Sequence, residues 1–186
     1  MNSRTRVLAG AALAVALGAG TLGAVSASAT PAPAAPAAAP AAAPARADGD
    51  QNFTTSTHLT VDAATRAAQA ALRAAEKENQ KVTVAVVDRN GNTIVTLRGD
   101  GAGPQSYESA QRKAYTAVSW NAPTSVLAGR LAQTPNLKDI PGTLFLGGGT
   151  PVQANGAPVA GIGVAGAPSG DLDEKFAKAG ADSLTK

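Results

Sequence analysis

KVTVAVVDRNGNTIVTLR, residues 81–98, decides how this chain folds. It divides into two β-type runs, Val82–Asp88 and Asn92–Arg98, on either side of Asn90-Gly91. Asn-Gly suits a primed hairpin turn, because both residues tolerate positive φ. The first run is almost continuously apolar and β-branched, the mark of a strand covered on both faces. A hairpin is therefore predicted, with the other elements covering it or extending its sheet.

Working outward, Thr60 and Asp62 are start signals for a helix over Asp62–Asn79, and that segment is rich in alanine, the strongest helix former. Gly99 to Gly103 breaks the pattern after the hairpin. Ser106–Trp120 reads as a second helix, and Pro123 opens a short third one ending near Ala132. Thr143–Leu146 is predicted as a short strand, followed by Gly147-Gly148-Gly149. Pro151–Ala154 then leads into a second Asn-Gly turn at Asn155-Gly156, and Val159–Val164 returns as a strand of alternating small residues. Asp171 and Glu174 have the spacing of a capping box for a last helix, Leu172–Leu184. Two hairpins and flanking helices predict an α+β layer fold with a mainly antiparallel sheet.

Not all of the 186 residues belong to that fold. Arg4 and Arg6 precede an apolar run and then Ala27-Ser28-Ala29, so residues 1–29 read as a secretory signal peptide. Residues 30–56 read as a disordered Ala/Pro-rich linker, since prolines this dense forbid a helix and favour an extended spacer. The domain is then 57–186, a secreted, extracellular module that the linker could carry through the cell wall. The chain has no cysteine, which excludes a disulfide framework, a lipid-anchored cysteine, an iron–sulfur cluster and covalent c-type haem. Arg4-Thr5-Arg6 is not a strict twin-arginine pair, so the Sec and Tat routes both stay open. Without Arg4 and Arg6 there are 14 basic and 13 acidic side chains, and no basic block points to nucleic acid.

Few residues carry obvious chemistry. The single histidine, His58, stands at the edge of the domain and cannot make a zinc site or a catalytic triad alone. Gly147-Gly148-Gly149 lacks the Lys-Ser/Thr of a phosphate loop, and Pro151 removes a backbone donor; a close backbone approach is the better reading. The second helix says more. Ala110, Ala114 and Ala117 align with Tyr107 as the natural core stripe. Ser109, Lys113, Thr116 and Trp120 form an adjacent row, with Glu108, Arg112, Tyr115 and Ser119 further round. Such a row can floor a groove for a flat acidic ligand, or serve as a solvated face or a subunit interface.

Five segments in order resemble one family, the GlcG/HbpS-like haem-binding or haem-degrading proteins. They are VTVAVVDRNGNTI (82–94), RGDGA (98–102), SAQRKAYTA (109–117), GGGTPV (147–152) and GAPVAGIGVAG (156–166). The signal peptide and leader are similar to the exported actinomycete branch. The resemblance implies a profilin-like fold with a five-stranded antiparallel sheet, homo-oligomers, and non-covalent, reversible haem binding. It further implies haem or iron handling and oxidative-stress sensing beside a membrane sensor kinase. It associates Lys113, Tyr115 and Thr116 with haem. No histidine or methionine lies in that motif, so an oxygen ligand is expected, Thr116 or Tyr115, with Lys113, Arg112 or Arg98 pairing with propionates. Ser109 and Trp120 complete the expected haem face. The reading is of a binding protein rather than a catalyst. A haem-degrading or hydroxy-acid enzyme and a ligand-free structural oligomer are the alternatives.

Overall fold

The computed structural model describes residues 52–185, all within the compact unit Asp48–Lys186. The segments expected as signal peptide and leader lie, but for residues 52–56, outside the described residues. The elements are α1 (Val61–Lys77), β1 (Thr83–Asp88), β2 (Thr93–Arg98), α2 (Gln105–Trp120), α3 (Thr124–Ala128), β3 (Gly149–Ala154), β4 (Ala157–Ala165) and α4 (Gly170–Asp182), with two 3₁₀ turns between α3 and β3. Four antiparallel strands lie in the order β2-β1-β4-β3. Among the described residues no helix is long and apolar enough to cross a membrane.

β1 is buried along almost its whole length because both its faces are covered. Val84 and Val86 face α1 and α4, in one core with Ile162, Val164, Phe176 and the alanines of α1. Ala85 and Val87 face α2, against Ala110 and Ala114. Ala64, Ala67, Ala68, Ala71 and Ala75 are all fully buried, so the alanine pattern of α1 is its packing face. β4 alternates in the same way. Its small residues Gly161 and Gly163 turn toward α2, where a Cβ would collide with the carbonyl oxygens of Ala114 and Ala110. The backbone of α2 thus rests directly on the sheet, which fixes where its outer side chains stand.

Five expectations need correction. The sheet has four strands, not five. Thr143–Leu146 is irregular, because its backbone groups bond to side chains instead of a ladder: the Leu144 N–H donates to Thr116 Oγ1 at 2.8 Å and Thr143 O accepts from Arg112 at 2.8 Å. The primed turn is the second Asn-Gly, not the first. Asn155 and Gly156 both take positive φ (52° and 77°), whereas at 88–92 only Gly91 does (89°) and Asp88 Oδ1 accepts from the N–H groups of Asn90 and Asn92. The cap of α4 is Ser169, which accepts from the Leu172 N–H; Glu174 is drawn instead to Ser125 and Gly148. On α2 the core stripe runs through Ser106, Ala110, Lys113, Ala114 and Ala117, while Tyr107 is 47% exposed.

Candidate functional site

α2 is held from both sides. Its sheet-facing residues are small, so the longer side chains must leave around the rim or point outward. Lys113 leaves around the rim. Its Nζ passes beyond the start of β3 to donate to Asp173 Oδ2 of α4 at 2.7 Å and to Val164 O of β4 at 3.0 Å. The other oxygen of Asp173 accepts from the Ala167 N–H. Both side chains are nearly inaccessible. Gly148, at φ 129°, makes the passage possible: a Cβ there would stand 2.7 Å from the ammonium. Burial pushes the Asp173 carboxyl up from the usual range, against the opposing pull of Lys113 and the Ala167 N–H. Lys113 was expected on a ligand-facing row. It is instead a core residue whose charge is already matched.

Thr116 is fully buried too. Its hydroxyl donates to Arg112 O at 2.7 Å and accepts from the Leu144 N–H. As it stands, this oxygen holds the 143–146 segment and does not face solvent. Both departures have one cause. The row Ser109-Lys113-Thr116-Trp120 lies on the side of α2 that turns toward α3, α4 and that segment. Trp120 packs edge-on against Phe145, with centroids 5.2 Å apart. Ser109 is half-buried at the near end.

The outward side is formed by Arg112 and Tyr115. The Arg112 side chain is 40% exposed. It bonds to Thr143 O and lies 3.6 Å from Glu108 one turn back. The Tyr115 ring is half-buried and sits between two glycines: Cβ atoms at Gly91 and Gly142 would be 2.8 and 3.6 Å from it. A phenol, a guanidinium and two side-chain-free flanks therefore converge at one corner. Arg98 is not part of it; its guanidinium donates to Ala102 O at 2.6 Å. His58 is exposed and bonds to Ser56. Gly142, Thr143 and Asp173 carry no local signal of these roles and Gly91 signals only its turn, since each acquires its part here through a contact distant along the chain.

A concavity lies elsewhere, between β3 and the end of α4. This open cleft of about 740 Å³ has Leu59, Val152, Val159 and Leu184 in its walls and Lys175 and Lys178 at its rim. None of the α2 residues lines it. It is roomy but carries charges of both signs, including Asp171 and Asp182.

A four-stranded antiparallel sheet with helices on both faces, and a glycine-flanked tyrosine-arginine corner on its central helix, define the class: an α+β layer fold. Residues 59–182 match the family model described as haem degrading protein HbpS-like, and the chain belongs to that family. It is 76% identical to a double mutant of HbpS from Streptomyces reticuli, over 78% of this chain and 99% of that one, with a TM-score of 0.72. It is 33% identical over 113 residues to an uncharacterized 15.0 kDa protein of Citrobacter freundii, covering 58% of this chain and 80% of that protein. It is 25% identical to PduOC, solved as a haem complex, over 68% of this chain and 95% of that one, with a TM-score of 0.63. The family is thus a haem-related one.

Proposed function

We propose that this protein is an exported, non-covalent haem-binding protein that handles haem or iron, or senses redox stress, as a homo-oligomer beside a membrane sensor kinase. The observation that carries the reading is the family match, joined to a solved relative that is a haem complex. Export rests on the basic, apolar and Ala-x-Ala pattern of residues 1–29.

The outer corner of α2 fits a flat dianionic ligand in its chemistry. Tyr115 offers an oxygen that can ligate ferric iron, and its glycine neighbours let the ring lie close against the backbone at 91 and 142, which holds the phenol in place. Arg112 offers a planar cation suited to a propionate. Ser109 and Trp120 border the same helix. Thr116 and Lys113 do not fit as direct contacts while they hold Leu144 and Asp173; they act by positioning α2. Bound haem would supply redox chemistry at its iron. The protein's part is to orient it and to match its charge.

A second reading, haem degradation, is favoured by the family's own description. The two separate cleanly. Haemin titrated into the purified protein gives a saturable Soret shift on the binding reading. Aerobic incubation of that complex with a reductant leaves the band in place if the protein only binds. Progressive loss that requires oxygen assigns degradation, and the lack of any saturable shift removes both readings.

A further inference from the structure

The sheet has two outer strands, and they are not equivalent. β3 is closed to strand addition. Gly148 O accepts from the Val164 N–H, so by alternation Thr150 and Val152 face β4 while Gly149 and Pro151 face out. Proline has no N–H to offer, and the Gly149 N–H is already given to Thr124 Oγ1 at 2.7 Å. β2 is open. The Gly99 N–H donates to Val82 O, which places Val95 and Leu97 in the bonded pairs with β1. The N–H and C=O groups of Thr96 and Arg98 therefore point away from the sheet. β2 contains no proline and no inward charge, and its irregularity is confined to the other end, opposite Val86–Val87.

We propose that β2 is the surface through which two copies of this chain associate, antiparallel, about a two-fold axis at Leu97. One register satisfies the outward groups of both Thr96 and Arg98. Thr96 bonds reciprocally with Arg98 of the second copy, and Arg98 with its Thr96. That makes four backbone hydrogen bonds around a Leu97–Leu97 contact, all clear of the bulge. The charges agree as well: each Arg98 faces a threonine and never the other Arg98, whereas a register centred on Arg98 would oppose two cations. An isologous contact of this kind needs only one self-complementary patch. The result is a continuous eight-stranded sheet. The proposal rests on the homo-oligomer suggested above but not on haem.

Thr96→Lys tests it. The Thr96 side chain is half-buried and its hydroxyl takes only a long 3.4 Å bond from Gln111, so an unchanged far-UV spectrum and a cooperative melt are checked first; each lysine would then face an Arg98 across the axis. Light scattering should show the oligomer mass halved, with association weakened roughly tenfold or more. Thr96→Lys combined with Arg98→Glu should restore the wild-type mass. Leu97→Cys adds an independent readout, because the chain has no cysteine. Directly opposed residues in a non-bonded pair stand about 4.5 Å apart, within disulfide reach, so mild oxidation should yield a covalent dimer. A monomeric wild type would contradict association itself. A wild-type oligomer that Thr96→Lys leaves intact, or a Leu97→Cys protein that never crosslinks, would contradict this interface alone.

Discussion

Lys113 Nζ lies 2.7 Å from Asp173 Oδ2, and the two belong to helices on opposite faces of the sheet. The pair bolts α2 to α4 around the end of β3, past the residue, Gly148, whose missing side chain leaves room. A buried ion pair offsets its own desolvation only when well made, and removing one partner leaves an uncompensated charge. Lys113→Met should therefore destabilise by about 3–5 kcal/mol. Lys113→Met with Asp173→Leu should recover most of that loss, since an apolar pair of similar volume often matches a buried ion pair. Denaturant unfolding of the two variants checks it; equal losses in both would show that the pair is not coupled.

Gly163→Val should be among the most damaging single changes in the domain. The added Cβ meets the Ala110 carbonyl, and α2 must lift off the sheet or β4 must shift. A loss of several kcal/mol, typical of overpacking at its upper end, is expected in thermal or denaturant melts. A wild-type midpoint would mean that α2 does not lie on β4 as described.

The hairpin and the helices were legible because their signals are local: β-branched runs, Asn-Gly, alanine periodicity. The family was legible for the same reason, in five short motifs. The buried status of Lys113 and Thr116 was not. A lysine on a helix reads as a solvent-facing group, and only the meeting of α2, β4 and α4 supplies the carboxylate, Asp173, that allows burial. Thr143–Leu146 misled in the opposite way. Its apolar composition reads as a strand, yet side chains of α2 take its backbone groups. The capping box at Asp171 and Glu174 failed because Glu174 has a better use 49 residues away, at Ser125.

Asp88 gives a pH signature. Its slight burial raises the carboxyl, but bonds from the Asn92 and Asn90 backbone and the Asn92 amide, with His58 nearby, outweigh this and hold it below the usual range. A carboxyl lowered in the folded state contributes stability above its unfolded pKa and loses it as pH falls through the folded one. Asp88→Asn should flatten that part of the acid limb in pH-dependent melts while changing little near neutrality beyond the lost bonds. Asp173, raised by burial, works with the opposite sign: its contribution fades as pH rises through its folded pKa. An unchanged acid limb in Asp88→Asn would show that the turn carboxylate is not engaged in solution.

A haemin titration of the wild type, Tyr115→Phe and His58→Ala, at matched oligomeric state, tests haem binding at the α2 corner. Tyr115→Phe removes one oxygen and keeps the ring between Gly91 and Gly142, so folding is retained. His58→Ala removes the only histidine, the commonest protein ligand of haem iron. Saturable binding is expected in all three, with an altered Soret spectrum in Tyr115→Phe and a wild-type spectrum in His58→Ala. A wild-type spectrum in Tyr115→Phe, together with loss of binding in His58→Ala, would contradict binding at that corner and place haem at the N-terminal edge of the domain.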